Sequence, residues 1–101
     1  MRRYKLSKEA RQDLRQIKEY IAEDSIDAAL RMVTEFREAF RLLAQSPGIG
    51  HRRPDLTPRT LLFWPVRAYL VIYSPGNRPL EIVAILHGRR NVVSVLAERF
   101  E

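Results

Sequence analysis

Apolar residues recur along the first half of the chain at the spacing of α-helices. After a short β-rich stretch over residues 2–6, they repeat every three or four positions and predict a first helix that ends at about Glu23. These positions are Ala10, Leu14, Ile17 and Ile21. Ser7 is the predicted N-cap, with Glu9 in the first turn, where it faces the positive end of the helix dipole. The pattern therefore predicts a strand followed by a capped amphipathic helix.

A second helix is predicted from the N-cap Ser25 to the sequence Ser46-Pro47-Gly48. Its apolar stripe comprises Ala29, Met32, Val33, Phe36, Phe40 and Leu43. Ile26, Leu30 and Ala39 widen the stripe to roughly half of the helix circumference. Such a width needs more than one neighbour. We expect the first helix, in an antiparallel hairpin, on one side and a sheet on the other, with a bound partner as the alternative.

The second half of the chain is rich in β-branched and aromatic residues. Three stretches, residues 60–64, 69–73 and 80–87, are separated by short turns and predict an antiparallel meander. The last stretch contains an unbroken apolar run, which is typical of a strand that is covered on both faces or lies at the centre of a sheet. The sequence thus predicts an α+β fold: an N-terminal strand, a two-helix antiparallel hairpin and a three-stranded antiparallel meander, with the helices packed on one face of the sheet.

Length and composition bound the class of protein. The 101 residues, 46% of them hydrophobic, suit a single domain over residues 1–101. The chain has no cysteine, and its two histidines, His51 and His87, cannot form a structural zinc site by themselves. We therefore expect no metal and no cofactor. Because no apolar run could serve as a signal peptide or span a bilayer, we expect a cytoplasmic protein.

The charge of the chain is basic and unevenly distributed. The formal net charge is +6, and after residue 50 there are eight basic and four acidic residues. All eight of these basic residues are arginine, whose planar fork suits bidentate contacts with phosphate or carboxylate. The pattern predicts an acidic partner, either nucleic acid or an acidic protein segment, without deciding the chemistry.

Several short segments carry a family resemblance through their order and spacing along the chain. They are Tyr4-Lys5-Leu6-Ser7, Tyr20-Ile21-Ala22-Glu23-Asp24, Ser46-Pro47-Gly48-Ile49-Gly50, Arg53-Pro54-Asp55-Leu56, the hairpin from Phe63 to Tyr73, and Ile85-Leu86-His87-Gly88-Arg89-Arg90. Together they cover nearly the whole chain, which resembles the ParE/RelE toxin family of bacterial type II toxin-antitoxin systems and, within it, the ParE branch. The resemblance implies two helices packed on an antiparallel sheet, and a ParD-like antitoxin that wraps and neutralises the toxin in a hetero-oligomer.

The two branches of this family share a scaffold but differ in target, so the fold cannot decide between them. The resemblance implies that a ParE-branch toxin inhibits DNA gyrase and leaves broken DNA, whereas a RelE-branch toxin cuts messenger RNA on the ribosome. We therefore expect a growth-inhibiting gyrase inhibitor that is not an enzyme. A ribosome-dependent mRNA endonuclease is the first alternative, and a basic nucleic-acid-binding accessory domain without toxicity is the second.

Three arginines and one histidine are the candidate contacts with the target. Arg67 lies in the turn of the ParE-like hairpin, His87 ends the last strand, and Arg89 and Arg90 follow it closely. A ribonuclease without a metal needs a base, an acid and cations that contact the phosphate. For that alternative the catalytic candidates are Arg67, His87 and Arg89; for the gyrase inhibitor no catalytic residue is expected.

The chain departs from an mRNA-cleaving constellation. Resemblance to the RelE branch would imply lysines and arginines across the sheet and a tyrosine near the chain end, but no tyrosine follows Tyr73 and no lysine follows Lys18. His87 could equally be a structural histidine that is bonded to the backbone, and Arg67 a solvated turn residue. The departure favours a toxin that holds its target over one that cuts it.

Further candidates lie outside this set of cations. Arg52 and Arg53 form a secondary basic loop, which is either a target contact or simple solubilising charge. Ile26, Leu30 and Trp64 are candidate contacts with the antitoxin. The first two widen the apolar stripe of the second helix, and large aromatic side chains such as Trp64 dominate interface energies. Trp64 could also face the core.

Overall fold

The computed structural model describes residues 4–100, which form four strands and three α-helices in an α+β fold. The elements in chain order are β1 (Tyr4–Leu6), α1 (Lys8–Ala22), α2 (Ile26–Gln45), a single 3-10 turn (Pro47–Ile49), β2 (Leu62–Val66), β3 (Tyr69–Ser74), β4 (Leu80–His87) and α3 (Val92–Arg99). The predicted fold class is confirmed. Arg2 and Arg3, which the sequence pattern assigns to the first strand, lie outside the described residues.

The four strands form one mixed sheet in the order β1-β4-β3-β2. The pairs β2 with β3 and β3 with β4 are antiparallel, as the predicted meander requires. β1, however, lies parallel to β4, with Tyr4 opposite Leu80, so the prediction of a wholly antiparallel sheet is wrong at this strand. The long connection through two helices and the meander lets the chain return to β1 in the same direction, which a tight hairpin could not do.

Serine side chains fix the start of both long helices. The Ser7 hydroxyl accepts a hydrogen bond from the Ala10 N–H at 3.0 Å, and the Ser25 hydroxyl accepts one from the Ala28 N–H at 3.1 Å. Each bond satisfies one of the N–H groups that have no partner within the helix. Both predicted N-caps are confirmed, and α2 has the predicted length.

The helices α1 and α2 pack on one face of the sheet and enclose the larger core. This core includes Phe36, Phe40 and Leu43 of α2 together with Val71, Tyr73, Ile82 and Ile85 of the sheet. α2 thus packs against both α1 and the sheet, as the apolar pattern predicted, but Ile26 and Leu30, which widen its stripe, remain exposed.

A third helix, α3, covers the opposite face of the sheet. The sequence analysis places helices on one face only, and this prediction is incomplete. Val92 and Leu96 of α3 are buried against Phe63, Ile72 and Leu86, and each fully buried side chain of this size contributes about 1.5–3 kcal/mol. β4 is therefore covered on both faces, which accounts for its unbroken apolar run.

The second strand is displaced from its predicted position. It runs over Leu62–Val66 rather than residues 60–64, so that Pro65 lies inside the strand. Proline has no N–H to donate, but β2 is an edge strand and Pro65 is exposed there, so the ladder tolerates it. Within residues 4–100, no helix is long and apolar enough to cross a membrane.

Candidate target-binding surface

A two-residue turn places Arg67 at one end of the sheet. Val66 and Tyr69 are the last paired residues of β2 and β3, so Arg67 and Ala68 form the loop between them. Arg67 has a φ of 53°, a left-handed conformation that such turns usually fill with glycine. The strained backbone aims an arginine side chain outward from the hairpin, although the type of turn would favour a smaller residue.

The Arg67 side chain is anchored on α2. Its Nε donates to the two carboxylate oxygens of Glu35 at 2.7 and 3.0 Å, and this bond raises the pKa of the guanidinium. The pair is exposed, with 67% of the Arg67 side chain accessible to solvent, so water screens it and its contribution to stability is small. Since only Nε takes part, the two Nη groups can still reach a partner. Glu35 therefore orients Arg67 without occupying its outer face.

His87 stands beside this hairpin at the end of β4, directly opposite Tyr69. Its Nδ1 accepts a hydrogen bond from the Arg89 N–H at 3.0 Å. Because a backbone N–H can only donate, Nδ1 has no proton, and the neutral ring holds its proton on Nε2. The Tyr69 ring meets the imidazole edge-on, with 5.3 Å between ring centroids. His87 is thus bonded to the backbone, as one reading of the sequence expected, and it also keeps an N–H donor for a partner.

Backbone hydrogen bonds join the segment after His87 to the hairpin turn. The Gly88 N–H donates to the Ala68 carbonyl at 2.8 Å, and the Arg90 N–H donates to the His87 carbonyl at 3.0 Å. Arg89 and Arg90 are both exposed. The structure therefore brings Arg67, His87, Arg89 and Arg90 together on two adjoining turns, which we call the cationic end of the sheet.

A cleft of about 380 Å³ opens between this end and α1. It is lined by Asp13, Gln16, Ile17, Tyr20, Tyr69, Ile85, His87 and Arg90. Burial, and secondarily the neighbouring Tyr20, raises the pKa of Tyr69 above its ordinary value, so the Tyr69 phenol acts as a neutral hydrogen-bonding group at physiological pH. The cleft thus combines aromatic walls with the donors of His87 and Arg90.

Asp13 and Arg99 form a buried ion pair at the floor of this region. The Asp13 carboxylate accepts hydrogen bonds from Arg99 Nη2 at 2.7 Å and Nη1 at 2.8 Å, and from the Ile85 N–H at 3.0 Å. Arg99 also donates to the Val83 carbonyl. Because β1 ends at Leu6, the rest of this edge of β4 has no neighbouring strand among residues 4–100. Asp13 and Arg99 instead bind the Ile85 N–H and the Val83 carbonyl there.

The remaining candidate residues do not line the cleft at His87, although Leu30 shares a hollow on α2 with Glu35, the partner of Arg67. Arg53 binds Asp55 within its own loop at 2.8 Å and lowers the pKa of that carboxyl, whereas Arg52 is exposed. Trp64 packs partly against the helix-side core, and its ring stacks on His51. Ile26 and Leu30 are 68% and 51% exposed, one turn apart on α2. The basic loop and the apolar candidates thus do not join the surface around His87.

Comparisons with known proteins identify the fold and the family. A family model described as "ParE toxin of type II toxin-antitoxin system, parDE" matches residues 4–92. The chain belongs to the ParE toxin family. A search of curated proteins finds no match. A solved structure titled "Chromosomal ParDE TA system from P. aeruginosa" is similar to this chain, with a TM-score of 0.69 and 21% identity over 83% of this chain and 92% of that chain.

The family match includes every residue of the cationic end. It confirms the predicted ParE branch and places the chain in the toxin class of parDE systems, in which a toxin is paired with an antitoxin. At 21% identity the structural match supports the ParE fold alone. The match ends at residue 92, so nearly all of α3, with Arg99, lies beyond the part that the family model describes.

Sequence reasoning missed some of the residues that line the cleft beside His87. Tyr20 and Gln16 read as ordinary exposed positions of α1, and only the packing of α1 beside β4 brings them to His87. The start of α3 did have a signal, because the Asn91 side chain caps it by accepting from the Ser94 N–H at 3.1 Å. No local sequence signal could indicate that Asp13 binds Arg99, since 86 residues separate them.

Proposed function

We propose that this ParE-family toxin inhibits DNA gyrase by holding it through the cationic end of the sheet. The observation that carries the proposal is the convergence of Arg67, His87, Arg89 and Arg90 on two hydrogen-bonded turns beside an open cleft. Such a surface suits an acidic or hydrogen-bonding patch on a large partner, because forked guanidinium groups favour planar anionic groups.

The chemistry of the cleft favours holding over cutting. A metal-independent ribonuclease needs a general base, but the Nδ1 lone pair of His87 is used by the Arg89 N–H, and Nε2 is a donor in the neutral ring. Asp13 is enclosed by Arg99 and the Ile85 N–H, and Glu35 is bound to Arg67. The histidine Nδ1 and the two carboxylates therefore already have partners.

The proposal is tested by a supercoiling assay in which the purified protein is added to gyrase and relaxed plasmid DNA. We expect supercoiling to be blocked and cleaved DNA to accumulate in proportion to the toxin added. Translated messenger RNA, incubated with ribosomes and the same protein, should stay intact. Unimpaired supercoiling at toxin concentrations that arrest growth would overturn the proposal, and transcripts cut at ribosomal sites would favour the endonuclease instead.

We further propose that a ParD-like antitoxin covers the exposed apolar face of α2. Ile26 and Leu30 are large, exposed and one helical turn apart, an arrangement that fits the apolar side chains of a segment that folds on binding. Replacement of Leu30 by aspartate should weaken capture of the co-expressed antitoxin. The matched control is Leu42→Asp, on the same helix and 42% exposed, which should bind normally; equal loss in both variants would contradict this placement.

A further inference from the structure

The cleft beside His87 has an exposed aromatic side chain on one wall. Tyr20 of α1 is 72% exposed, the largest fraction among the large apolar side chains of residues 4–100. It lines the cleft of about 380 Å³ together with Ile17, which precedes it by three residues on the same helix face. Because most of the Tyr20 side chain contacts solvent, its ring is accessible to a ligand that enters the cleft.

The other aromatic wall is fixed by packing. The Tyr69 ring meets Phe36 edge-on with 5.5 Å between centroids, and it meets His87 in the same way at 5.3 Å. Aromatic pairs favour such T-shaped arrangements. Ile85 also lines the cleft. The cleft therefore has apolar walls, one of them rigid and one accessible, which suit a planar ring.

Two donors for an anion lie at the same cleft. His87 keeps an N–H at Nε2, because its Nδ1 accepts the Arg89 N–H. Arg90 lines the cleft, is exposed and takes part in none of the ion pairs within residues 4–100. Its guanidinium can therefore bind phosphate or carboxylate through two parallel hydrogen bonds.

The one carboxylate that lines the cleft among the described residues does not oppose an anion. Asp13 is bound by Arg99 at 2.7 and 2.8 Å and by the Ile85 N–H at 3.0 Å, so the pair has no net charge. Arg90 then gives the cleft a positive charge. The amide of Gln16, which also lines it, supplies both a donor and an acceptor, as the edge of a nucleobase requires.

We propose that this cleft binds one unstacked nucleotide of a DNA strand. The base lies against the Tyr20 ring, and its phosphate binds Arg90 and the Nε2–H of His87. Arg67 and Arg89, on the adjoining turns, bind the neighbouring phosphates. Base–aromatic stacking beside a cationic groove is the usual way in which proteins hold single strands. The choice of DNA as the source rests on the proposed function, because gyrase acts on DNA.

Three other ligands use fewer of these features. An acidic side chain of a protein would bind Arg90 but would leave the Tyr20 ring without a contact. In duplex DNA the bases are stacked on one another, so the cleft cannot receive one unless it is flipped out. A free mononucleotide fits the cleft but has no neighbouring phosphates for the other arginines. A single strand uses the ring and the cations together.

Binding is tested with the toxin alone and a fluorescently labelled single-stranded DNA of about twelve nucleotides, a length within the usual site sizes. The toxin should bind this strand more tightly than the corresponding duplex. Tyr20→Leu should weaken binding of the strand by about fivefold or more, whereas Tyr20→Phe retains the ring and should restore most of it. Leu42→Ala, at a position 42% exposed on α2, is the matched control and should bind like the parent.

The charges are tested by repeating the titration over a series of salt concentrations. Arg90→Ala should reduce the slope of log affinity against log salt by about 0.7, the effect of one lost phosphate contact. Arg78→Ala, at another exposed arginine, should weaken binding less than Arg90→Ala. Gln16→Glu places a carboxylate in the cleft and should weaken binding, while Gln45→Glu makes the same charge change at the end of α2 and should have little effect.

Absence of strand binding, or equal binding by Tyr20→Leu and the parent, would overturn this inference. So would equal competition by a deoxynucleoside monophosphate or by an acidic peptide of the same charge, or much tighter binding of RNA. A toxin that inhibits supercoiling without binding the strand would leave the gyrase proposal standing and remove this one; strand binding without gyrase inhibition would do the reverse. A circular dichroism melt of each variant verifies that it is folded.

Discussion

At the scale of single residues, Arg67 combines a strained backbone conformation with a proposed contact with the target. A non-glycine residue at a φ of 53° stores strain that a glycine would relieve. The sequence retains a long cationic side chain there, and Glu35 holds it in place at 2.7 Å. Strain of this kind often marks functional positions, and the site lies on the surface where we place the target.

Replacement of Arg67 by glycine separates function from stability. The substitution suits the left-handed turn, so the free energy of unfolding should stay unchanged or rise. Removal of the guanidinium should nevertheless raise the toxin concentration needed to inhibit supercoiling by about tenfold. Urea unfolding measures the free energy of unfolding, and a supercoiling titration of the same preparation measures the inhibitory concentration. A destabilised variant with unchanged inhibition would contradict both the strain at position 67 and the contact of its guanidinium with the target.

Gly50 illustrates a steric requirement that the sequence alone shows only as a glycine in a loop. The Tyr73 hydroxyl donates to the Pro47 carbonyl at 2.7 Å and accepts from the Gly50 N–H at 2.9 Å. A Cβ at position 50 would lie 2.5 Å from this hydroxyl oxygen, which is too close for a carbon and an oxygen that are not bonded to each other. The buried tyrosine thus holds the loop against the sheet and demands glycine.

Gly50→Ala should therefore reduce the free energy of unfolding by about 1–3 kcal/mol. Gly48→Ala is the matched control, because a Cβ at position 48 meets nothing within 4 Å. That control should be neutral or slightly stabilising. Denaturant unfolding of the two variants provides the comparison, and equal stability in both would show that the Tyr73 contact does not constrain the loop.

At the scale of elements, the short length of β1 leaves part of the β4 edge in need of other hydrogen-bond partners. β1 covers only the start of β4, from Leu80 to Ile82. The rest of that edge is served by Asp13 from α1 and Arg99 from α3, so one ion pair links helices on opposite faces of the sheet. A three-residue strand thus makes a buried charge pair necessary, and α3 becomes part of the structure beneath the cleft.

Breaking this pair should destabilise the fold strongly, because it leaves a buried group without its partner. We expect Asp13→Ala to cost about 3 kcal/mol. Addition of Arg99→Met should cost much less than a second independent loss, since the first substitution has already removed the interaction. A double-mutant cycle in urea measures the coupling. Additive losses would mean that the two side chains stabilise the fold separately.

The periodicity of apolar residues was sufficient to predict the elements that local signals define. Ser7 and Ser25 cap their helices as their positions suggest, and the unbroken apolar run of β4 indicated a covered central strand. The parallel pairing of β1 could not be predicted, because it depends on contacts 76 residues apart along the chain. Helix α3 has only eight residues, too few for a repeated apolar pattern to stand out.

At the scale of the whole molecule, the candidate site also combines residues that local sequence signals reveal with contacts that only the folded chain creates. The sequence identified the candidate side chains, since Arg67, His87, Arg89 and Arg90 occur in short recognisable segments. It could not identify the cleft, whose walls come from α1 and β3 and meet only in the folded chain. It also could not show that the lone pair of His87 Nδ1 is used by the backbone, which is the fact that most favours holding over cutting.

The central claim, that the cationic end of the sheet holds gyrase, is tested most directly by a supercoiling titration of charge-removed toxins. Arg67, Arg89 and Arg90 are replaced together by alanine, and the control carries alanine at the exposed Arg15, Arg41 and Arg78. The first toxin should require at least about a hundredfold higher concentration for half-inhibition, while the control inhibits like the parent. Equal inhibition by the parent and both variants would contradict the account.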